Sequence, residues 1–122
     1  MIVEDYFQDL LKRNFSSFDE YFHADAKIYW PVTNEVFTVE QFIELNEEYP
    51  GKWNGKLESV DKTLEGFVYT GMIENETRTE RYFVTGFAVV GGGKIIRLTE
   101  YWAKGEEAPD WRKQMHIGNK IL

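Results

Sequence analysis

The sequence has no cysteine, and only two histidines and three prolines among its 122 residues. Without cysteine there is no disulfide, no thiolate nucleophile and no cysteine-based zinc site. Two isolated histidines, His23 and His116, lack the helical or paired spacing of metal ligands, so no metal is expected. Positive charge is scarce. Fourteen Lys and Arg against 21 Asp and Glu leave a net charge of −7 and a pI near 4.8. Such acidity argues against nucleic acid or an anionic membrane surface as partner. No apolar run is long enough to cross a bilayer and no basic leader precedes one. Neither a membrane span nor a signal peptide is expected, and a cytoplasmic address is the default. Gly91-Gly92-Gly93-Lys94 lacks the spacing of a phosphate loop and lies between two strands instead of before a helix. Ser16, Ser17 and Ser59 suit caps or strand surface, with no nucleophile elbow around them. No cofactor is implied.

Aromatic residues are abundant, with four Trp, seven Tyr and nine Phe making 16% of the chain. This is more ring surface than one small core requires, which favours an aromatic-lined pocket or an interface beside ordinary core packing. The length suits a single domain over 1–122.

The most informative stretch is the hairpin around the glycine triplet. Two β-rich runs, Thr79 to Val90 and Lys94 to Trp102, flank Gly91-Gly92-Gly93, and paired glycines supply the positive φ of a tight turn. With Gly91-Gly92 as the loop, Phe87 faces Ile96, Thr85 faces Leu98, Phe83 faces Glu100 and Arg81 faces Trp102. One face then carries Phe83, Thr85, Phe87, Val89, Ile96, Leu98 and Trp102, with Arg81 and Glu100 as its charges. Tyr82, Val84, Gly86, Ala88, Ile95, Arg97, Thr99 and Tyr101 share the other. A one-residue slip exchanges the two sets. Glu100 among apolar neighbours must be paired, hydrogen-bonded, protonated or open to a cavity. Arg81, diagonally across, is its expected partner.

Along the chain, Ile2, Tyr6, Phe7, Leu10, Leu11 and Phe15 define an amphipathic helix over about 2–14. Ser17 and Glu20 fit a capping box for a short second helix through Phe22. Lys27 to Trp30 reads as a strand stopped by Pro31. Thr38 and Gln41 form another capping box, with Phe37 and Phe42 as its hydrophobic staple, and that helix runs to about Tyr49. Strands follow at Lys52–Leu64, Phe67–Glu74, Thr77–Val90 and Lys94–Trp102, with Gly71 and Gly86 as expected bulges. Ala108-Pro109-Asp110-Trp111 opens a short tail whose Pro suits a helix start. Helices followed by a long curved antiparallel sheet indicate an α+β fold.

Ile28-Tyr29-Trp30-Pro31, Asn34-Glu35, Asn46 through Trp53, and Glu100-Tyr101-Trp102 through Arg112 together resemble the bacterial SnoaL-like branch of the nuclear transport factor 2-like (NTF2-like) superfamily, over nearly the whole chain. The resemblance implies a cone-shaped α+β fold with N-terminal helices packed in a strongly curved, mainly antiparallel sheet. It implies a pocket between sheet and helices, and a homodimer through the outer sheet face. The superfamily includes isomerases, polyketide cyclases, dehydratases, epoxide hydrolases and non-catalytic binding proteins, so the fold leaves the chemistry open.

The candidate catalytic pair is Glu100 with Arg81, either a proton shuttle held by a cation or a structural ion pair. Trp30, Tyr49, Trp53 and Trp102, with Phe83 and Phe87 from the Glu100 face, are candidate walls for a small hydrophobic or aromatic ligand. Asn46 shares a helix face with Phe42, Ile43 and Tyr49. It either orients a ligand carbonyl or satisfies a backbone group. Asn34 and Glu35 read as rim or solvated turn, and His23 with Asp25 as a proton-transfer pair or a helix-terminal histidine. Two functions fit: a cofactor-independent acid–base enzyme on a ring-containing substrate, or a non-catalytic ligand-binding or dimerisation module. In the second, Tyr82, Val84, Ile95 and Tyr101 form the outer face.

Overall fold

The computed structural model describes residues 1–121. It contains helices α1 (Ile2–Leu11), α2 (Phe18–Tyr21), α3 (Val39–Glu47) and α4 (Asp110–Lys113). The strands are β1 (Phe22–Trp30), β2 (Glu35–Thr38), β3 (Trp53–Lys62), β4 (Gly66–Asn75), β5 (Arg81–Gly91) and β6 (Lys94–Lys104). The six strands form one mixed sheet in the order β2-β1-β6-β5-β4-β3, antiparallel throughout except between β1 and β6. The first three helices pack on its inner face, giving the expected α+β cone. None of the helices is long and apolar enough to cross a membrane.

Local chemistry explains several boundaries. At α3 the Thr38 hydroxyl accepts from the Gln41 N–H at 3.1 Å, and the Gln41 side chain accepts from the Thr38 N–H at 3.0 Å. The expected capping box and its staple, with the Phe37 and Phe42 rings 6.3 Å apart, are both present. Ser17 differs. It does not cap α2, because its hydroxyl accepts from the Asn14 side chain. β1 begins at Phe22, earlier than the apolar run suggested, and Asn34 lies outside the helices and strands in the left-handed conformation (φ 59°), reversing the chain into β2. Asn adopts that conformation readily. Glu35, expected in a loop, is thus the first strand residue, paired with Trp30.

The β5–β6 hairpin departs from expectation in its register. Gly92 and Gly93, with φ of 60° and 79°, make the two-residue turn, so Gly91 pairs with Lys94 and Val90 with Ile95. Val89 then pairs with Arg97, leaving Ile96 as an extra residue. This bulge turns Ile96 and Arg97 both outward and reverses the alternation beyond. Gly86, not Phe83, stands opposite Glu100, and Val84, Gly86, Ala88, Leu98, Glu100 and Trp102 share the inner face. Phe83 and Phe87 are consequently outside, 39% and 46% exposed, while Val84 and Ile95 are core residues at 2% and 0%. The outer set proposed from the sequence is therefore corrected. Tyr101 is outside as expected, but Val84 and Ile95 are buried, and Tyr82 lines a cavity. Gly86 marks no bulge, but the β3–β4 register shifts beside Gly71, which pairs with Leu57 while Thr70 pairs with Ser59, so the extra residue is Glu58 on β3.

The core gathers Val3, Tyr6 and Phe7 of α1, Phe18 of α2, Phe22 and Ile28 of β1, and Phe42 of α3 against Tyr69, Val84, Ala88, Ile95 and Leu98 of the sheet. The Tyr6 ring lies edge-on to Phe18 and Phe22 at 5.5 and 5.3 Å, a geometry favoured by the ring quadrupoles. The register makes a direct prediction. Ile95→Ala should lower unfolding stability by about 2–5 kcal/mol, as core truncations do, measured by urea denaturation. A loss below about 1 kcal/mol, typical of surface changes, would place Ile95 outside.

Candidate functional site

Glu100 is the one buried charged side chain among the described residues, 1% exposed. Four neutral donors surround its carboxylate. The Trp30 and Trp102 indole N–H groups each donate to Oε1 at 3.2 Å. The Tyr6 and Tyr69 hydroxyls donate to Oε2 at 3.1 and 2.7 Å. Strand register explains the convergence. Tyr69 pairs with Gly86, and Gly86 with Glu100, so the three stand in one row across β4, β5 and β6. On the other side of β6, Trp30 follows Tyr29, which pairs with Thr99, and so comes alongside Glu100. Trp102 lies two residues further along β6 on the same face, and Tyr6 descends from α1.

Gly86 makes the row work. A Cβ there would stand closer to the Tyr69 Cζ, hydroxyl and Cε1 atoms than non-bonded atoms can approach. Only a bare α-carbon lets the phenol cross β5 to reach a carboxylate on β6.

Burial pushes the Glu100 carboxyl above the ordinary glutamate range, and the bonds from Tyr69, Trp102, Trp30 and Tyr6 pull it partly back. The same burial, with the adjacent Glu100 charge, holds both the Tyr6 and Tyr69 phenols well above their usual value. The set serves either protonation state. As an anion, Glu100 accepts from all four donors. As an acid, it keeps both indole bonds on Oε1 and donates from Oε2 to a tyrosine hydroxyl oxygen, since hydroxyls both donate and accept.

Glu100 also borders a cavity of about 420 Å³ between the ends of α1 and α3 and the inner sheet face. Trp30, Tyr49, Trp53, Tyr82 and Trp102 supply aromatic wall, and Leu10, Leu11, Phe15 and Ile73 aliphatic and ring surface. Arg13, with a positive φ of 59°, closes one side. Its guanidinium donates to the backbone oxygens of Asn46, Glu47 and Tyr49 at 3.4, 2.8 and 3.1 Å. These oxygens lie at and just beyond the end of α3, where a cation is favoured. Glu80 and Lys104, 3.7 Å apart, are further charges on the lining.

Of the sequence candidates, Glu100, Trp30, Asn46, Tyr49, Trp53 and Trp102 come together around this cavity. Asn46 donates its amide to the Phe42 carbonyl at 2.7 Å, so its donor is spent within α3. Trp53 donates to the Pro50 carbonyl at 3.1 Å. Arg81 is not with Glu100. It pairs across the strands with Glu74 and bonds its carboxylate at 3.3 Å, on the outer face with Phe83 and Phe87. The bulge at Ile96 is the reason for all three corrections. His23 Nδ1 accepts from the Asp25 backbone N–H at 3.1 Å, a local strand contact and not a proton-transfer pair. Asn34 and Glu35 are exposed, as is His116. Among the described residues no three His, Cys, Asp or Glu side chains cluster as metal ligands. Tyr6, Tyr69, Tyr82 and Arg13 were missed. The one sequence trace of the first two is a polar-tipped ring among apolar neighbours, which core tyrosines share.

The sequence matches no family model and no curated protein. Solved structures do match. A proposed ketosteroid isomerase from Kribbella flavida DSM 17836 is 23% identical, with a TM-score of 0.77 over 99% of this chain and 87% of that one. An NTF2-like protein of unknown function from Burkholderia xenovorans LB400 is 17% identical, with a TM-score of 0.74 over 99% and 93%. An LEH-like epoxide hydrolase from M. tuberculosis is 16% identical, with a TM-score of 0.67 over 84% and 76%. The chain has the fold of the NTF2-like and ketosteroid isomerase-like proteins. At these identities the likeness establishes architecture, and the chemistry must be argued from the site.

Two predictions follow from the geometry. Gly86→Ala should displace Tyr69 and cost about 1–3 kcal/mol, the usual penalty of overpacking; unchanged stability in urea would mean that the Tyr69–Gly86–Glu100 row is wrong. Glu100→Gln should also destabilise, because one amide oxygen replaces two acceptors and strands tyrosine O–H donors, at about 1–3 kcal/mol. That loss should depend on pH. The folded chain holds the Glu100 proton more tightly than the unfolded chain does. The resulting stabilisation is fully present below the unfolded pKa and disappears as pH rises through the folded one. The gap between wild type and Gln variant should therefore narrow with rising pH, and a widening gap would contradict a raised carboxyl.

Proposed function

We propose that this protein binds a small hydrophobic, ring-containing molecule in the cavity beside Glu100, and that Glu100 exchanges a proton with it. The single observation that carries this reading is a buried carboxyl, serviceable in both protonation states, bordering an aromatic pocket. A carboxyl raised above its ordinary range by burial is suited to general acid–base work. Isomerisation, cyclisation and dehydration all need such a group in a dry site and no cofactor. The fold neighbours and the SnoaL-like sequence features are compatible with chemistry of this kind. Tyr6 and Tyr69 take the orienting role that the sequence had assigned to Arg81.

One observation favours a second reading, a non-catalytic binding module. Two donors on each oxygen saturate the carboxylate, as a structural anchor requires. The two readings separate experimentally. A thermal-shift screen against aromatic and polycyclic compounds should yield hits, a ligand at a hundred times its Kd adding about 2.7 kcal/mol, and Trp53→Ala should weaken them. Conversion of a hit by wild type, lost in Glu100→Gln but retained in Tyr49→Phe, supports the enzyme. Binding without conversion supports the module, and an empty screen opposes both.

The outer sheet face carries Phe83, Phe87, Ile96 and Tyr101, each 39–46% exposed, a patch of the kind that pairs with another protein. We assign it to a homodimer. Phe87→Asp should shift the sedimenting species to monomer, and an unchanged sedimentation coefficient would refute that assignment.

A further inference from the structure

The segment after β6 lines no part of the cavity. From Pro109 to Ile121 every residue is exposed, including Trp111 at 65%, Met115 at 54%, Ile117 at 68% and Ile121 at 98%. Its hydrogen bonds are local, within α4 and the turn after it, and among the described residues its one ion pair joins Lys113 to Glu107 at 2.9 Å. Large apolar side chains spaced along an arm without a surface beneath them mark a docking element.

Charge indicates what the arm docks on. All 21 acidic residues precede Trp111, while Arg112, Lys113 and Lys120 follow it. The net −7 therefore divides into −10 for residues 1–110 and +3 for the remainder. The longest acidic run without a Lys or Arg is residues 28–51, with five glutamates, and the Arg13 guanidinium that reaches the end of α3 bonds its backbone oxygens. That stretch forms β2 and α3, and between them lies an open cleft floored by Val36, Phe37 and Leu45 and edged by Glu44 and Glu48. Val36 is 53% exposed there. An apolar floor with a carboxylate rim complements an apolar arm with basic residues.

The arm of the same chain does not lie on this cleft, and its hydrogen bonds stay within residues 109–116. β6 lies between β1 and β5, and the chain leaves it bonded to β5, Gly105 N–H to the Arg81 carbonyl at 2.7 Å. The cleft is on the opposite side of β6, beyond β1. We infer that the arm of residues 109–121 docks in the β2–α3 cleft of a second copy of this chain.

The absence of native cysteine gives a clean test on the full-length chain. Glu48→Cys and Gln114→Cys, made in separate chains and mixed under mild oxidation, should give a mixed disulfide faster than either variant alone. It should also form faster than Gln114→Cys mixed with Asp61→Cys on distant β3. Arg112→Glu with Lys120→Glu in the arm should abolish the preference, and Glu44→Lys in the cleft-bearing chain should restore it. Two results overturn the inference. One is a disulfide closing within monomers when both cysteines share a chain, which shows the arm docking on its own body. The other is crosslinking no faster than the Asp61→Cys control. Neither result bears on ligand binding in the cavity.

Discussion

A carboxylate removed from water is the constraint to which the rest of this structure answers. Burying Glu100 without partners would cost far more than one residue's packing returns, so the fold must deliver donors to it. It does so without a cation. Two indoles and two phenols, from α1, β1, β4 and β6, converge on two oxygens. Every element that supplies a donor is thereby tied in distance to β6. Tyr69 reaches its place because Gly86 has no side chain, and Trp30 because β1 runs parallel to β6. The edge-on aromatic packing around Tyr6 fixes the fourth donor.

The same arrangement makes the cavity. Trp30 and Trp102 turn their N–H edges to Glu100 while bordering the pocket, so the groups that stabilise the anion are also its walls. Neutral partners have a chemical consequence that an arginine would not. A guanidinium would hold the carboxylate ionised, whereas phenols accept as readily as they donate and leave the proton free to come and go. Away from the sheet, Arg13 joins the end of α1 to the end of α3 through three carbonyl oxygens and lines the cavity.

Much of this was legible in the sequence, and the failures have one origin. The helices, the strand runs, the Thr38–Gln41 cap and the isolation of Glu100 follow from periodicity and local chemistry. Trp30, Asn46, Tyr49, Trp53 and Trp102, candidate pocket walls from their residue types and spacing, all border the cavity. The pairing of β5 with β6 was expected, but not the shift of the turn to Gly92-Gly93 or the bulge at Ile96. No residue type announces an extra residue in a strand of Ile, Arg and Leu. Because side chains alternate with period two, that one residue moved Phe83, Phe87 and Arg81 to the outside and Val84 to the core. Tyr6 and Tyr69 were invisible for another reason. They stand 94 and 31 residues from Glu100, and only the folded register brings them together.

The most direct test of the account is an NMR titration of the Glu100 side-chain carboxyl together with the four indole N–H resonances. The account predicts a midpoint above the ordinary glutamate range, with the Trp30 and Trp102 indole signals moving at that same midpoint. Trp53, bonded to the Pro50 carbonyl, and exposed Trp111 should stay still. A Glu100 midpoint at or below the ordinary range, or indole signals that ignore it, would contradict the claim that this carboxyl is buried among neutral donors.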